Sequence, residues 1–134
     1  MNHPQLAHTL ADALPELAHA EPGTQFENPQ LVALNEPLAK ELGLDVAWLK
    51  SDDGLKFLSG SHGGHAMAYA AHQFGQFVPL LGDGRALLLG DTAGYEIQLK
   101  GSGLTAFSRP GTDGVGAIGP MLREHLVSTF MHAV

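Results

Sequence analysis

Leucines recur at helical spacing through the first third of the chain. Leu6, Leu10, Leu14 and Leu17 share one face of a helix predicted over residues 3–20, with Pro15 kinking or splitting it. Residues 21–27 read as a loop. Asn28 and Pro29 suit the cap and first position of a second helix, in which Leu31, Leu34, Leu38 and Leu42 follow and Gly43 is a left-handed stop. Pro37 conflicts with a single helix there, so two short ones are the alternative. Residues 51–67, with Ser, Asp and Gly clusters, read as loop. Residues 65–74 fit a short helix or a strand equally.

The period then changes from helical to alternating. Phe77–Leu81 and Ala86–Leu89 are apolar runs joined by Gly82-Asp83-Gly84, which reads as a tight hairpin turn. Residues 90–94 form a second turn. In Tyr95–Lys100 the side chains Tyr95, Ile97 and Leu99 fall on one face, and Glu96, Gln98 and Lys100 on the other. An antiparallel meander is expected. Residues 101–119 hold six glycines and predict a long, mobile connection. Pro120 opens a last helix in which Leu122, Leu126 and Phe130 share a face.

Composition narrows the chemistry. The 134 residues carry a formal charge of −7 and no cysteine, which removes disulfides, thiolate catalysis and Cys-ligated zinc. An acidic chain is a poor general binder of nucleic acid or anionic membrane. No apolar run approaches the roughly 20 residues of a membrane span, and no secretory leader is evident, so a cytoplasmic protein is expected. Beyond Lys56 the fixed positive charges are Arg85, Lys100, Arg109 and Arg123. Arg85 and Lys100 adjoin glycines, where backbone N–H groups can approach an anion closely.

Three constellations follow. Gly82-Asp83-Gly84-Arg85 is either a plain turn or a phosphate cradle with a bidentate guanidinium. Lys100, at a strand end before Gly101-Ser102-Gly103, has the placement that kinases give their phosphate-gripping lysine; Glu124 on the last helix is its candidate partner. The competing reading is a lysine snorkelling from a strand end beside a solvated glutamate. Asp113-Gly114, with Arg109 before it, is a second clamp or an ordinary turn. His62, His65 and His72 match no well-defined zinc spacing, and surface or packing roles are favoured over metal.

Several of these segments together resemble one family. Tyr69-Ala70-Ala71-His72-Gln73-Phe74-Gly75, Leu81–Ala86, Gln98–Thr105, Ser108-Arg109, Asp113-Gly114 and Arg123-Glu124 are similar in order and spacing to the selenoprotein O family, and Asn28–Leu44 is similar to its N-terminal region. That family comprises protein adenylyltransferases with a protein-kinase-like fold. They move AMP from ATP to protein hydroxyl groups.

The resemblance implies an α+β fold. Residues 1–50 would be a helical extension, and residues 51–134 a partial kinase-like N-lobe with the C-lobe absent. It implies that Gly82, Gly84, Arg85, Lys100, Asp113 and Gly114 bind ATP and that Glu124 pairs with Lys100. Mg²⁺ or Mn²⁺ is implied by the family, but its ligands and the catalytic base belong to a C-terminal lobe. No His-Arg-Asp-like or Asp-Phe-Gly-like segment occurs here. The expectation is therefore an ATP-binding portion, inactive alone. The alternatives are a non-catalytic nucleotide- or protein-binding module, or a truncated remnant that self-associates through an incomplete core. The family's Asp-Gly-Arg-Ala-Val-Leu-Arg run is replaced by Asp113–Gly119, with Val115 and Gly119 where arginines would stand.

Overall fold

The computed structural model describes residues 3–134. In chain order the elements are α1 (Thr9–Ala13), β1 (Ala18–Glu21), α2 (Glu36–Glu41), α3 (Val46–Leu49), α4 (Asp52–Leu58), β2 (Gly64–Met67), β3 (Ala71–Gln73), β4 (Gln76–Val78), β5 (Ala86–Thr92), β6 (Tyr95–Lys100) and α5 (Ile118–Ala133). The fold is α+β. Strands β1, β2, β5 and β6 form one antiparallel sheet in that order, and β3 and β4 form a separate hairpin. No described helix is long and apolar enough to cross a membrane.

The N-terminal region departs from the helix expected over residues 3–20, with its kink or split at Pro15: only one short helix forms and a strand follows it. Helix α1 stops at Ala13, because Pro15 offers no N–H and crowds the preceding turn. The chain then extends, and Ala18 pairs with Met67 at the sheet edge. Upstream, Ala7 exchanges two backbone hydrogen bonds with Asp91 (3.0 and 2.8 Å), and the Asp91 carboxylate accepts from Thr9 N–H and Oγ–H. Long-range strand pairing here outweighs leucine periodicity.

The second helix begins at Glu36, not at Asn28–Pro29. The Asn35 side chain accepts from Leu38 N–H at 3.1 Å, and Pro37 falls in the first turn, where a missing donor costs nothing. The proline that conflicted with a long helix is thus part of a helix start. Gly43, at φ +71°, ends α2 as expected: Gly43 N–H reaches Lys40 O and Leu44 N–H reaches Ala39 O.

Residues 52–58 are helical rather than loop. The Ser51 hydroxyl accepts from Gly54 N–H (3.2 Å), and Asp52 and Asp53 lie in the positive first turn. The Ser-Asp-Asp cluster is a cap. Asp45 caps α3 in the same way.

The meander also rearranges. Strand β4 turns back onto β3 (Ala71 beside Val78), so Gly82-Asp83-Gly84 is not a hairpin tip but part of the crossing from β4 to β5. Residues 65–74 are extended in two pieces, β2 and β3. The tight turn between β5 and β6 is Ala93-Gly94, with φ of +50° and +80°, since residues 90–92 remain in the strand.

The core lies between α2–α4 and one sheet face. Ala39, Trp48, Leu49 and Phe57 pack with Leu87 and Leu89, and Ile97 and Leu99 border them. Leu88 is buried too, so β5 is covered on both faces. Residues on both sides of position 50 therefore share one core. Helix α5 buries none of its residues; Leu126 and Phe130 of its apolar face are exposed.

Candidate functional site

The glycine-rich segment is held rather than loose. Ser102 and Val115 form a bridge, Gly116 N–H donates to Gly101 O (3.0 Å), and Gly103 N–H donates to Gly114 O (3.2 Å). The two legs of the loop are thereby closed at its base. Close approach needs glycine here: Gly114 has φ +70°, and a Cβ on it would lie 2.2 Å from the Gly103 carbonyl.

The enclosed stretch folds back on the 82–85 crossing. Thr105 Oγ–H donates to Asp83 O and Ser108 Oγ–H to Gly84 O, both at 2.6 Å. Glu21 on β1 accepts from Ala106 N–H, also at 2.6 Å. The Phe107 ring fills the space that a side chain on Gly82 would need; a Cβ there would fall 2.4 Å from the ring. Thr105, Ser108 and Glu21 were not legible as positioning residues, because their partners are backbone groups far away in sequence.

Between these segments lies a cleft of about 1220 Å³. Gly82, Gly84, Arg85, Asp113 and Gly114 line it, five of the six residues expected to bind nucleotide; Lys100 does not. Lys100 is nonetheless adjacent, since it pairs across the sheet with Ala86, and Gly101 N–H donates to Arg85 O at 2.7 Å. Lys100 Nζ donates to both carboxylate oxygens of Glu124, at 2.9 and 2.7 Å. Both side chains are about half exposed (48% and 50%), so the pair contributes little to stability. Its consequence is directional: it fixes where the ammonium points.

The other charges are distributed unequally. Arg85 has no carboxylate within 4.0 Å among the described residues. Its charge is available to an anion entering the cleft. Arg109 is engaged instead: its guanidinium donates to Gln73 Oε1 and stands 6.0 Å from the Phe74 ring centroid. The Asp113 carboxylate accepts from Val115 N–H at 2.9 Å, which shapes its own turn.

Asp83 is the buried acid of the region, 5% exposed. Met67 N–H (2.9 Å) and Gln98 Nε2 (3.3 Å) donate to its carboxylate. It anchors the crossing to β2 and β6. The Tyr69 phenol, on a residue that is 46% exposed, is held above its ordinary range by partial burial and then by the nearby Asp83 charge. The folded state therefore favours the neutral phenol. That stabilisation is complete below the ordinary tyrosine range near pH ~10 and is lost as pH rises through the raised folded value. Above pH ~10 the urea midpoint of wild type should fall more steeply than that of Tyr69→Phe, which has no proton to lose. Parallel curves would exclude this coupling.

The histidines do not converge. His62 packs edge-on against His3, His65 against His8, and His72 tilts on Phe77. Among the described residues no three His, Asp or Glu side chains are placed to hold a metal ion. The cleft's own carboxylate, Asp113, is turned to its backbone. Among the described residues no set of side chains fits the divalent metal that the family resemblance implies, and no chemical step here is routed through one.

Taken together, these features define an α+β domain with a glycine-lined cleft, an arginine in its lining that meets no carboxylate among the described residues, and a lysine paired with a glutamate at its border. A family model described as "Protein adenylyltransferase SelO" matches residues 4–134, and the chain belongs to that family. It is 54% identical over 131 residues to the protein nucleotidyltransferase YdiU of Mycolicibacterium paratuberculosis, covering 90% of this chain and 26% of that protein. It is 49% identical over 135 residues to the YdiU protein of Corynebacterium glutamicum strain R, covering 93% and 28%. With the YdiU protein of Corynebacterium efficiens it shares 48% over 147 residues, covering 99% and 30%. The chain therefore spans between a quarter and a third of the length of these relatives.

Proposed function

We propose that this chain is the ATP-phosphate-binding part of a protein adenylyltransferase, with the arrangement of a kinase-like N-lobe. In this reading residues 51–134 carry the nucleotide site and residues 1–50 brace it through the shared core. The observation that carries the proposal is the Lys100–Glu124 pair beside the 82–85 crossing. A lysine held by a helix glutamate next to a glycine-lined cleft is how kinases aim positive charge at a polyphosphate.

The transfer is the attack of a protein hydroxyl oxygen on the α-phosphorus of ATP. A new P–O bond forms as the hydroxyl gives up its proton, the bond from that phosphorus to the α–β bridging oxygen breaks, and pyrophosphate leaves. The residues of this chain hold phosphate oxygens: Lys100 and Arg85 supply charge, and Gly82 and Gly84 line the cleft without side chains of their own. Oriented charge of this kind stabilises what develops on the phosphates in the transition state. The general base and the metal ligands are assigned to no residue here, so the chain by itself is proposed to bind without turning over.

Calorimetry tests the assignment. Lys100→Ala should weaken ATP binding about tenfold or more, equivalent to about 1.4 kcal/mol. Glu124→Gln should weaken it less, because the ammonium remains but loses its anchor. Equal ATP affinity in wild type and Lys100→Ala would remove the basis of the proposal.

A further inference from the structure

We propose that Phe74, which stands just outside the cleft beside its lining residues Gln73 and Arg109, stacks on a nucleobase. The inference rests on the ATP-binding reading above and adds a residue that selects a nucleoside triphosphate over a bare polyphosphate.

Phe74 and Gly75 form the two-residue turn between β3 and β4, with φ of +53° and +77°. Both positions are left-handed, which suits Asn-Gly or Gly-Gly and disfavours a phenylalanine. Burial does not compensate, because Phe74 is 90% exposed. A large apolar ring therefore occupies a disfavoured backbone position with no core contact in return. Local stability does not explain the residue.

The neighbours indicate which ligand. Gln73, the residue before it, lines the cleft, as does Val78 on the returning strand. Arg109 lines the cleft from the opposite, glycine-rich side, donates to Gln73 Oε1 and stands 6.0 Å from the Phe74 ring centroid. The guanidinium bridges the two walls at the rim and orients the ring. With 90% of the residue exposed, an aromatic surface stays free beside a cleft that Arg85 lines. A flat π-surface at the rim and cationic charge within match a molecule that joins an aromatic base to a polyphosphate. Base–aromatic stacking is tolerant of base identity and strong enough to register in affinity. A protein segment docking on the hairpin is the competing occupant, and it would make no use of the adjoining charged cleft.

The test compares ATP with inorganic tripolyphosphate on the full chain by calorimetry. Wild type should prefer ATP by about tenfold. Phe74→Asn removes the ring and supplies a residue suited to the turn, so its melting temperature should hold or rise. Its ATP affinity should nevertheless fall about tenfold while tripolyphosphate binding stays the same. Phe74→Trp should restore the ATP preference. The inference is overturned if Phe74→Asn binds ATP like wild type, or loses both ligands alike. Failure of wild type to bind either ligand would overturn the ATP-binding reading along with it, whereas a loss confined to Lys100→Ala would leave that reading intact and sink only this one.

Discussion

Replacing Trp48 with alanine should remove most of the chain's stability at room temperature. Trp48 is 6% exposed and meets Phe57 edge-on at 5.7 Å between ring centroids, in a core of six buried side chains. Truncating a buried tryptophan costs about 3–5 kcal/mol. Small domains have roughly 5–15 kcal/mol in total, and a chain this short belongs at the low end. Trp48 also joins the helices to Leu87 and Leu89 beneath the sheet, so the loss is global. Far-ultraviolet circular dichroism against urea is the appropriate measurement, because Trp48 is the sole tryptophan and its fluorescence disappears with it. Trp48→Phe should retain a cooperative transition. A midpoint in Trp48→Ala close to that of wild type would show that the core is not where the packing places it.

The second large effect is expected at Gly114. Alanine there must adopt φ near +70° and place its Cβ 2.2 Å from the Gly103 carbonyl, a backbone group that cannot rotate aside. The left-handed backbone and the clash together should cost roughly 2–4 kcal/mol. Gly111 is the internal control: its φ is +78°, and nothing lies within 4 Å of an added Cβ. Gly111→Ala carries the conformational cost alone. The difference between the two melting temperatures isolates the contact between the loop legs. Amide exchange should quicken at Gly103 and Gly116 in Gly114→Ala, and not in Gly111→Ala. Equal destabilisation by both substitutions would mean that the legs do not close.

Gly82 and Gly114 are legible as special positions from residue type and surroundings, but the reason for them is not. Glycine in a turn suggests room for a phosphate, whereas Gly82 makes room for Phe107 and Gly114 for Gly103. Both remain at the cleft, but the space they provide is first used by the protein itself. Asp83, flanked by Gly82 and Gly84, reads as a turn residue and is instead a buried anchor for Met67 and Gln98. A carboxylate that accepts from a distant backbone N–H carries no local signature.

Helix starts follow the same division. Asn35 with Pro37, and Ser51 with Asp52 and Asp53, are cap signals spelled out in sequence, yet leucine spacing and a loop-like composition mask them. Gly43 is legible as a left-handed stop, because that motif closes within six residues. Ala18–Glu21 is not legible as strand, since nothing in four residues names Met67 and Gly64 as partners.

By itself, then, the sequence determined the alternating strand Tyr95–Lys100, the lysine at its end and the helix bearing Glu124. Each of these depends on periodicity or residue type over a few neighbouring positions. Only the tertiary structure decided that β4 turns back onto β3, that residues 82–85 border a cleft rather than tip a hairpin, and that the glycine-rich loop is fastened over them. The fastening of the loop rests on hydrogen bonds between groups 22 to 85 residues apart, such as Thr105 to Asp83 and Ala106 to Glu21. Pairings at that separation are chosen by which compact arrangement satisfies the most buried polar groups at once, and no local pattern records that choice.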